Sequence, residues 1–240
     1  MAAGRMKVLE LWRYPVKSLQ GERVDEVRIT SAGLDGDRRF ALFDARSGLG
    51  LTARRAPELL FASAAAAEDG GVDITLPDGS VTRDDAVLSD WLGRAVRLQA
   101  AGAPDRRRYE NPVDFEHEAT SPWASFDGAP GPFHDSAAAR VSLVSTATIG
   151  PWDRRRFRAN VFLDGDGEDA LVGSTVALGD AVLDIQMRIA RCVMTTRPQG
   201  GGVERDLDVL RTINRERGRC LAVGAVVARS GVVRLGDALS

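Results

Sequence analysis

Apolar and polar residues alternate imperfectly from Val8 to Tyr14, and the run stops at Pro15. This predicts a strand leading into a Pro15-Val-Lys-Ser18 turn. Val24 to Thr30 alternates more cleanly, and Arg39 to Asp44 reads as a further strand beyond the loop Gly33-Leu-Asp-Gly-Asp-Arg38. Val72 to Leu76 and Val81 flank Pro77-Asp-Gly-Ser80, which predicts a hairpin. Asp84 or Asp85 is placed to cap a short helix through Leu92, with Gly93 as its stop, and Val96 to Ala100 is a closing strand. Pro57 to Ala62 fits a helical turn or a strand entry, and the alanine-rich run to Ala67 decides nothing.

Residues 101–136 show no sustained period, so a long irregular connection is expected; its scattered aromatics (Tyr109, Phe115, Trp123, Phe126, Phe133) predict that it packs against the protein. Beyond it, Arg140 to Ser145 and Phe157 to Leu163 read as strands, and Val176-Ala-Leu178 and Val182 to Ile185 form a hairpin about Gly179-Asp180. Asp206 to Arg217 has apolar residues near helical spacing, acids early, bases late and Gly218 at the stop, which predicts a helix. Cys220 to Ala228 and Val232 to Leu235 would form a last hairpin about Ser230-Gly231. The expected fold class is mainly β (α+β) with a few short helices. A β-rich module over 1–100, an irregular connection over 101–136 and a second β unit over 137–240 complete the expected organisation.

A chain of 240 residues with 44% hydrophobic content can bury a core without covalent staples. Its two cysteines, Cys192 and Cys220, form no CxxC pair, and only His117 and His134 could assist them, so neither a disulfide framework nor a cysteine-rich metal site is expected. The N-terminus lacks an apolar secretory core, and no apolar run approaches the roughly 20 residues of a membrane span. A cytoplasmic protein without a membrane partner is therefore expected. A formal net charge of −2 argues against a nucleic-acid partner held by bulk phosphate attraction. Of 32 basic residues only Lys7 and Lys17 are lysine. Where one of these recurs in a polar cluster, a compact ammonium stands apart from the planar guanidinium groups around it.

Two features carry candidate chemistry. Arg191-Cys-Val-Met-Thr-Thr196 sets a thiol after a cation, and the thiolate that such a neighbour favours is the form that binds metals; a small buried hydrophobe also fits Cys192 before Val193 and Met194. Four polar clusters, Lys17-Ser18, Asp37-Arg38, Ser145-Thr146 and Arg158-x-Asn160, each sit at a predicted strand edge. Converging on one mouth of a barrel they would make an anion cradle, because guanidinium forks, an ammonium and hydroxyls suit phosphate oxygens. Taken singly, each cluster fits a turn or a surface ion pair. No GxGxxG, Walker lysine, nucleophile elbow or HExxH is present.

The stretches Tyr14-Pro-Val-Lys-Ser-Leu-Gln-Gly21, Gly33-Leu-Asp-Gly-Asp-Arg-Arg-Phe40, Phe133-His-Asp135, Arg156-Phe-Arg-Ala-Asn-Val161, Arg191-Cys-Val-Met-Thr-Thr196 and Gly236-Asp237 together resemble the MOSC family, named for the C-terminal domain of molybdenum-cofactor sulfurase, with its companion N-terminal β-barrel domain. The resemblance spans nearly the whole chain and extends to bacterial relatives of the mitochondrial amidoxime reducing component. It implies a β-barrel fold and a molybdenum cofactor (molybdopterin), with Cys192 as metal ligand and catalytic residue. Lys17, Ser18, Arg38, Ser145, Thr146, Arg158 and Asn160 would hold the pterin and its phosphate, and Arg191 and Thr195 beside the cysteine complete the expected set.

The implied activity is an oxidoreductase that removes oxygen from N-hydroxylated small molecules, with Asp135 or a bound water conceivable as the proton source. The chain departs from the family pattern at Ala190, at Leu171-Val172, where a tryptophan is often found, and near Ser142, where a histidine is common. Ending just after the barrel, it is expected to lack a ferredoxin-like extension and a pyridoxal-phosphate domain, and so to need a separate electron-donor protein. The alternatives are a non-enzymatic carrier of the cofactor or of sulfur, and a metal-free binder of a phosphorylated metabolite.

Overall fold

The structure, a computed structural model, describes residues 6–102, 107–115, 117–118 and 120–240. The first five residues and part of the connection, both read above, lie outside it. Seventeen strands follow one another along the described chain. The first nine are β1 (Val8–Arg13), β2 (Glu22–Val24), β3 (Glu26–Thr30), β4 (Gly33–Leu34), β5 (Phe40–Asp44), β6 (Ser63–Ala66), β7 (Val72–Thr75), β8 (Val81–Thr82) and β9 (Val96–Ala100). Then come β10 (Arg108–Pro112), β11 (Trp123–Asp127), β12 (Val141–Ser145), β13 (Val161–Leu163), β14 (Thr175–Leu178), β15 (Ala181–Ala190), β16 (Cys220–Arg229) and β17 (Gly231–Arg234). Three short α-helices, α1 (Asp85–Leu92), α2 (Thr146–Ile149) and α3 (Asp208–Arg217), complete a mainly β fold.

Seven strands form the central sheet in the order β14-β15-β16-β12-β13-β1-β2. Within it β12 and β13 are parallel, joined by a crossover through α2. The middle strands β12 and β13 are buried on both faces, which explains why they read as continuous apolar runs instead of alternating ones. Leu143, Val161 and Leu163 point into a core shared with Val27, Ile29 and Val233. Their neighbours Val144 and Phe162 point the other way, against Val209 and Ile213 of α3. A separate core gathers Leu19, Leu42, Leu59, Leu60, Ile74 and Leu88 around the smaller sheets of residues 40–100. The first strands of the chain thus complete the sheet built by its second half.

Local chemistry sets the helix ends. The Asp84 carboxylate accepts from Ala86 N at 2.8 Å and Val87 N at 3.1 Å, and Gly93 takes the left-handed conformation (φ 61°) that stops α1. Gly218 does the same for α3 (φ 57°), whose buried side chains are Val209 and Ile213.

Two expectations are corrected. β16 and β17 do not form a hairpin: β16 already has β15 on one edge and β12 on the other, so β17 leaves the sheet and pairs antiparallel with β3, Val233 opposite Val27. The connection is not irregular throughout either, since β10 and β11 pair from Arg108 opposite Asp127 to Pro112 opposite Trp123. Its pattern was masked because β11 is exposed along most of its length. Leu143 is fully buried in the core on one face of the central sheet. Leu143→Ala should therefore lower unfolding free energy by about 2–5 kcal/mol, measured by denaturant titration with an unchanged m-value.

Candidate functional site

The site is built around Tyr14, at the end of β1. Its ring is fully buried and its hydroxyl donates to the Ala159 carbonyl at 3.2 Å. The Arg38 guanidinium lies 4.7 Å and that of Arg158 4.5 Å from its ring centroid, a double cation-π contact. Arg38 also donates to the Arg158 carbonyl at 3.2 Å and to the buried Asp37 carboxylate, whose other oxygen accepts from Tyr14 N at 2.7 Å. Arg158 donates to the Leu19 carbonyl.

Lys17, in the turn after Pro15, is buried. Its ammonium donates to the Phe133 carbonyl at 3.1 Å, pairs with Asp135 and lies 4.9 Å from the centre of the Tyr109 ring. Phe133 N in turn donates to the Arg38 carbonyl at 2.7 Å, tying Lys17 and Arg38 into one wall. Arg191, where β15 ends, donates from Nε to the Leu221 carbonyl at 2.7 Å and from Nη1 to the Phe157 carbonyl at 2.9 Å, beside Arg158. Its Nη2 is buried without a partner among the described residues. Cys192 follows, half-buried, as the entry to a 3-10 turn over Val193–Thr196.

Charge is out of balance here. Among the described residues four cations, Lys17, Arg38, Arg158 and Arg191, are gathered about two carboxylates, Asp37 and Asp135. Burial alone would depress Arg38, but Asp37 overrides it and lifts the group above the ordinary arginine value. Burial, reinforced by the repulsion of Arg38, pushes Arg158 down to about 10. Burial pushes Arg191 down to about 10 as well, partly offset by the neighbouring Cys192. Each depressed group favours an added negative charge. The Lys17 ammonium holds the Asp135 carboxyl below the usual carboxylate range; Asp135 is therefore ionised at neutral pH and unsuited to donate a proton.

Backbone conformation marks the same place. Five non-glycine residues among those described have positive φ: Ser18 (72°), Arg38 (49°), Arg158 (50°), Arg219 (72°) and Ala222 (82°). The first three are candidate residues. The other two bracket Cys220-Leu221, whose strand start receives Arg191 through the Arg219 and Leu221 carbonyls. Left-handed backbone in such residues costs on the order of 1–3 kcal/mol each and concentrates where function fixes geometry.

The structure thus brings Lys17, Arg38, Arg158 and Arg191 together, with Ser18 and Cys192 next in the chain to Lys17 and Arg191. Two further candidates spend their polar atoms internally. Asn160 accepts from Ser142 N at 3.2 Å and Ser142 Oγ at 2.9 Å and donates to the Trp12 carbonyl at 3.2 Å, fastening β1 to β12. Thr195 Oγ1 donates to the Cys192 carbonyl at 3.0 Å and closes the turn below the thiol.

Ser145 and Thr146 are not at this mouth. Strands β12 and β13 are parallel, with Ser145 opposite Leu163, so Ser145-Thr146 lies at the strand end away from Arg158, roughly 10 Å or more along at about 3.3 Å per residue. The Ser145 hydroxyl is buried as the cap of α2, accepting from Thr148 N at 3.3 Å. A predicted strand edge does not tell which end of the sheet it will occupy, and here the parallel crossover decided it.

Tyr14, Tyr109 and His134 were missed as site residues, and Asp37, named with Arg38 as a polar cluster, was given no role of its own. Tyr14 and Asp37 stand beside Lys17 and Arg38 in the sequence, but stacking of two cations on one ring leaves no sequence pattern. Tyr109 is wedged between Gly50 and Gly128: a Cβ at these positions would meet its ring at 2.2 and 2.6 Å. His134 is buried with Nε2 unpartnered among the described residues, and burial, then the repulsion of Arg38, pushes its pKa down to about 4.

The MOSC N-terminal beta barrel domain model matches residues 5–107 and the MOSC domain model residues 132–240. The chain belongs to the MOSC family. Among solved structures it is similar to the YuaD protein from Bacillus subtilis, at 12% identity over 98% of this chain and 93% of that one, with a TM-score of 0.44. It is also similar to YiiM from Geobacillus stearothermophilus, at 15% identity over 56% and 71% of the two chains, with a TM-score of 0.36. No curated protein matches the chain. No helix among the described residues is long and apolar enough to cross a membrane.

MOSC domains are associated with the molybdenum cofactor, and the donors here fit such a group. Unbalanced buried cations and the orphaned Nη2 of Arg191 suit a phosphate, and Cys192 offers one soft sulfur. Among the described residues no three His, Cys, Asp or Glu side chains converge to hold a metal ion. A metal would have to arrive with its own chelating group.

His134 also gives this region a pH signature. Its folded pKa lies below the ordinary value of about 6.5, so between these limits only the unfolded chain takes up the proton, and stability falls as pH drops from about 6.5 towards about 4. The loss should be on the order of 3 kcal/mol. Denaturant titrations across that range should show it, and His134→Gln should flatten it.

Proposed function

We propose that this protein is a molybdenum-cofactor oxidoreductase that reduces N-hydroxylated small molecules, taking electrons from a separate donor protein. The observation that carries the reading is the pair of guanidinium groups on Tyr14, with Lys17 and Arg191 beside them and a half-buried thiol next in the chain. Lys17, Arg38, Arg158 and Arg191 would hold the pterin phosphate; Cys192 would add its sulfur to the metal. When bound, the group supplies the redox chemistry, removal of oxygen from an N–O bond with uptake of two electrons.

The chain's own part is electrostatic and geometric. The left-handed turns at Ser18, Arg38 and Arg158 fix the cations before any ligand arrives, so little ordering is left to oppose binding. The turn closed by Thr195 sets Cys192 at a strand end, where its thiol takes no part in capping the turn. Asp135, ionised against Lys17, leaves proton delivery to solvent or to the substrate.

Lys17→Ala and Arg158→Ala should each cost about 1.5–3 kcal/mol of cofactor binding, roughly a tenfold to hundredfold fall in affinity, with little loss of stability. Molybdenum content of protein made in a host with intact cofactor synthesis measures this; full occupancy in both variants would remove the cradle. Cys192→Ser should abolish benzamidoxime reduction with a chemical electron donor while the protein stays folded. Cys220→Ser, at a half-buried position opposite Ala190 in the sheet, should lower thermal stability and keep turnover. Normal turnover by folded Cys192→Ser would refute the mechanism.

A further inference from the structure

We infer that Asp135 is a resident counter-ion for Lys17 which an incoming phosphate ester displaces, so that Asp135 sets the affinity of the anion cradle. This rests on the anion-binding reading above. The ion pair is asymmetric: the Lys17 side chain is 7% exposed, that of Asp135 94%. The cation cannot leave its place without abandoning the Phe133 carbonyl and the Tyr109 ring, both within the protein. The carboxylate reaches it from the solvent side and can return to water with its hydration intact, so the exchange that costs least is departure of Asp135. It occupies the direction from which an anion must come.

What remains after exchange is a prepared site. Tyr109 stays under the ammonium because Gly50 and Gly128 close on its ring, and Phe133 stays bonded to the Arg38 carbonyl. Both remaining contacts of Lys17 are neutral, so the charge that Asp135 gives up must be replaced. A phosphate monoester carries nearly two negative charges at neutral pH and also meets Arg158, whose charge burial and Arg38 disfavour, beside Arg38, which Asp37 already pairs. Asp135 therefore weakens every anion that needs Lys17 and holds the cation satisfied until one binds.

The test is calorimetric titration of the full chain, purified from a host unable to make the cofactor, with phenyl phosphate. Wild type, Asp135→Asn, Lys17→Met and the Lys17→Met/Asp135→Asn double variant are compared, with Asp135→Ser as a second removal of the carboxylate and thermal unfolding as a check on folding. Asp135→Asn and Asp135→Ser should bind at least tenfold tighter than wild type, and the gain should vanish when Lys17 is replaced. If wild type binds in a Lys17-dependent way but the two Asp135 variants bind equally or more weakly, Asp135 only positions Lys17; the inference fails and the cradle stands. If phenyl phosphate binds none of these proteins, the cradle reading fails and the inference with it.

Discussion

Packing like charges into a protein interior is the constraint on which the rest of this structure depends. Arg38 and Arg158 face the same ring from 4.7 and 4.5 Å, and burial with mutual repulsion works against both. Cations are kept in such a place by three devices: carbonyls that accept from them, one fully buried carboxylate, and the ring's negative face. Asp37 serves Arg38 and Tyr14 N at once, so its loss would release a charge and a strand end together. The arrangement is held by backbone that non-glycine residues rarely adopt, which ties the site's chemistry to the fold's local strain.

The fold supplies that rigidity by threading the ends of the chain together. β1 enters the central sheet beside β13, and β17 leaves it to pair with β3. Tyr14 therefore hangs from a strand locked by residues 150 positions away, and Arg158 from the crossover that makes β12 and β13 parallel. Asn160, buried and committed to Ser142 and Trp12, is the bolt between these strands. Its place in a recognisable motif reflects this internal bonding as well as any contact with a ligand.

Strand-rich character, the two capped helices and the loops bearing Lys17 and Arg38 were legible in the sequence, because period, caps and turn residues are local signals. Partnership was not. The pairing of β17 with β3 depends on both edges of β16 being occupied, a fact about the whole sheet. Likewise Ser145-Thr146 had the right residue types at a strand end, but a parallel crossover put that end on the far side. The hairpin β10–β11 was hidden because only Tyr109 and Pro112 of β10 are buried, too few to print an alternation. The stacking of two arginines on Tyr14 could be seen only once distant turns met.

The central claim joins the cation cluster and the thiol into one cofactor site. X-ray absorption at the molybdenum edge of the loaded protein, beside loaded Cys192→Ser, tests it directly. The account predicts one more sulfur neighbour at the metal in wild type than in the variant. Equal sulfur coordination in the two would contradict it, leaving Cys192 a half-buried thiol at a strand end and the cations a site for some other anion.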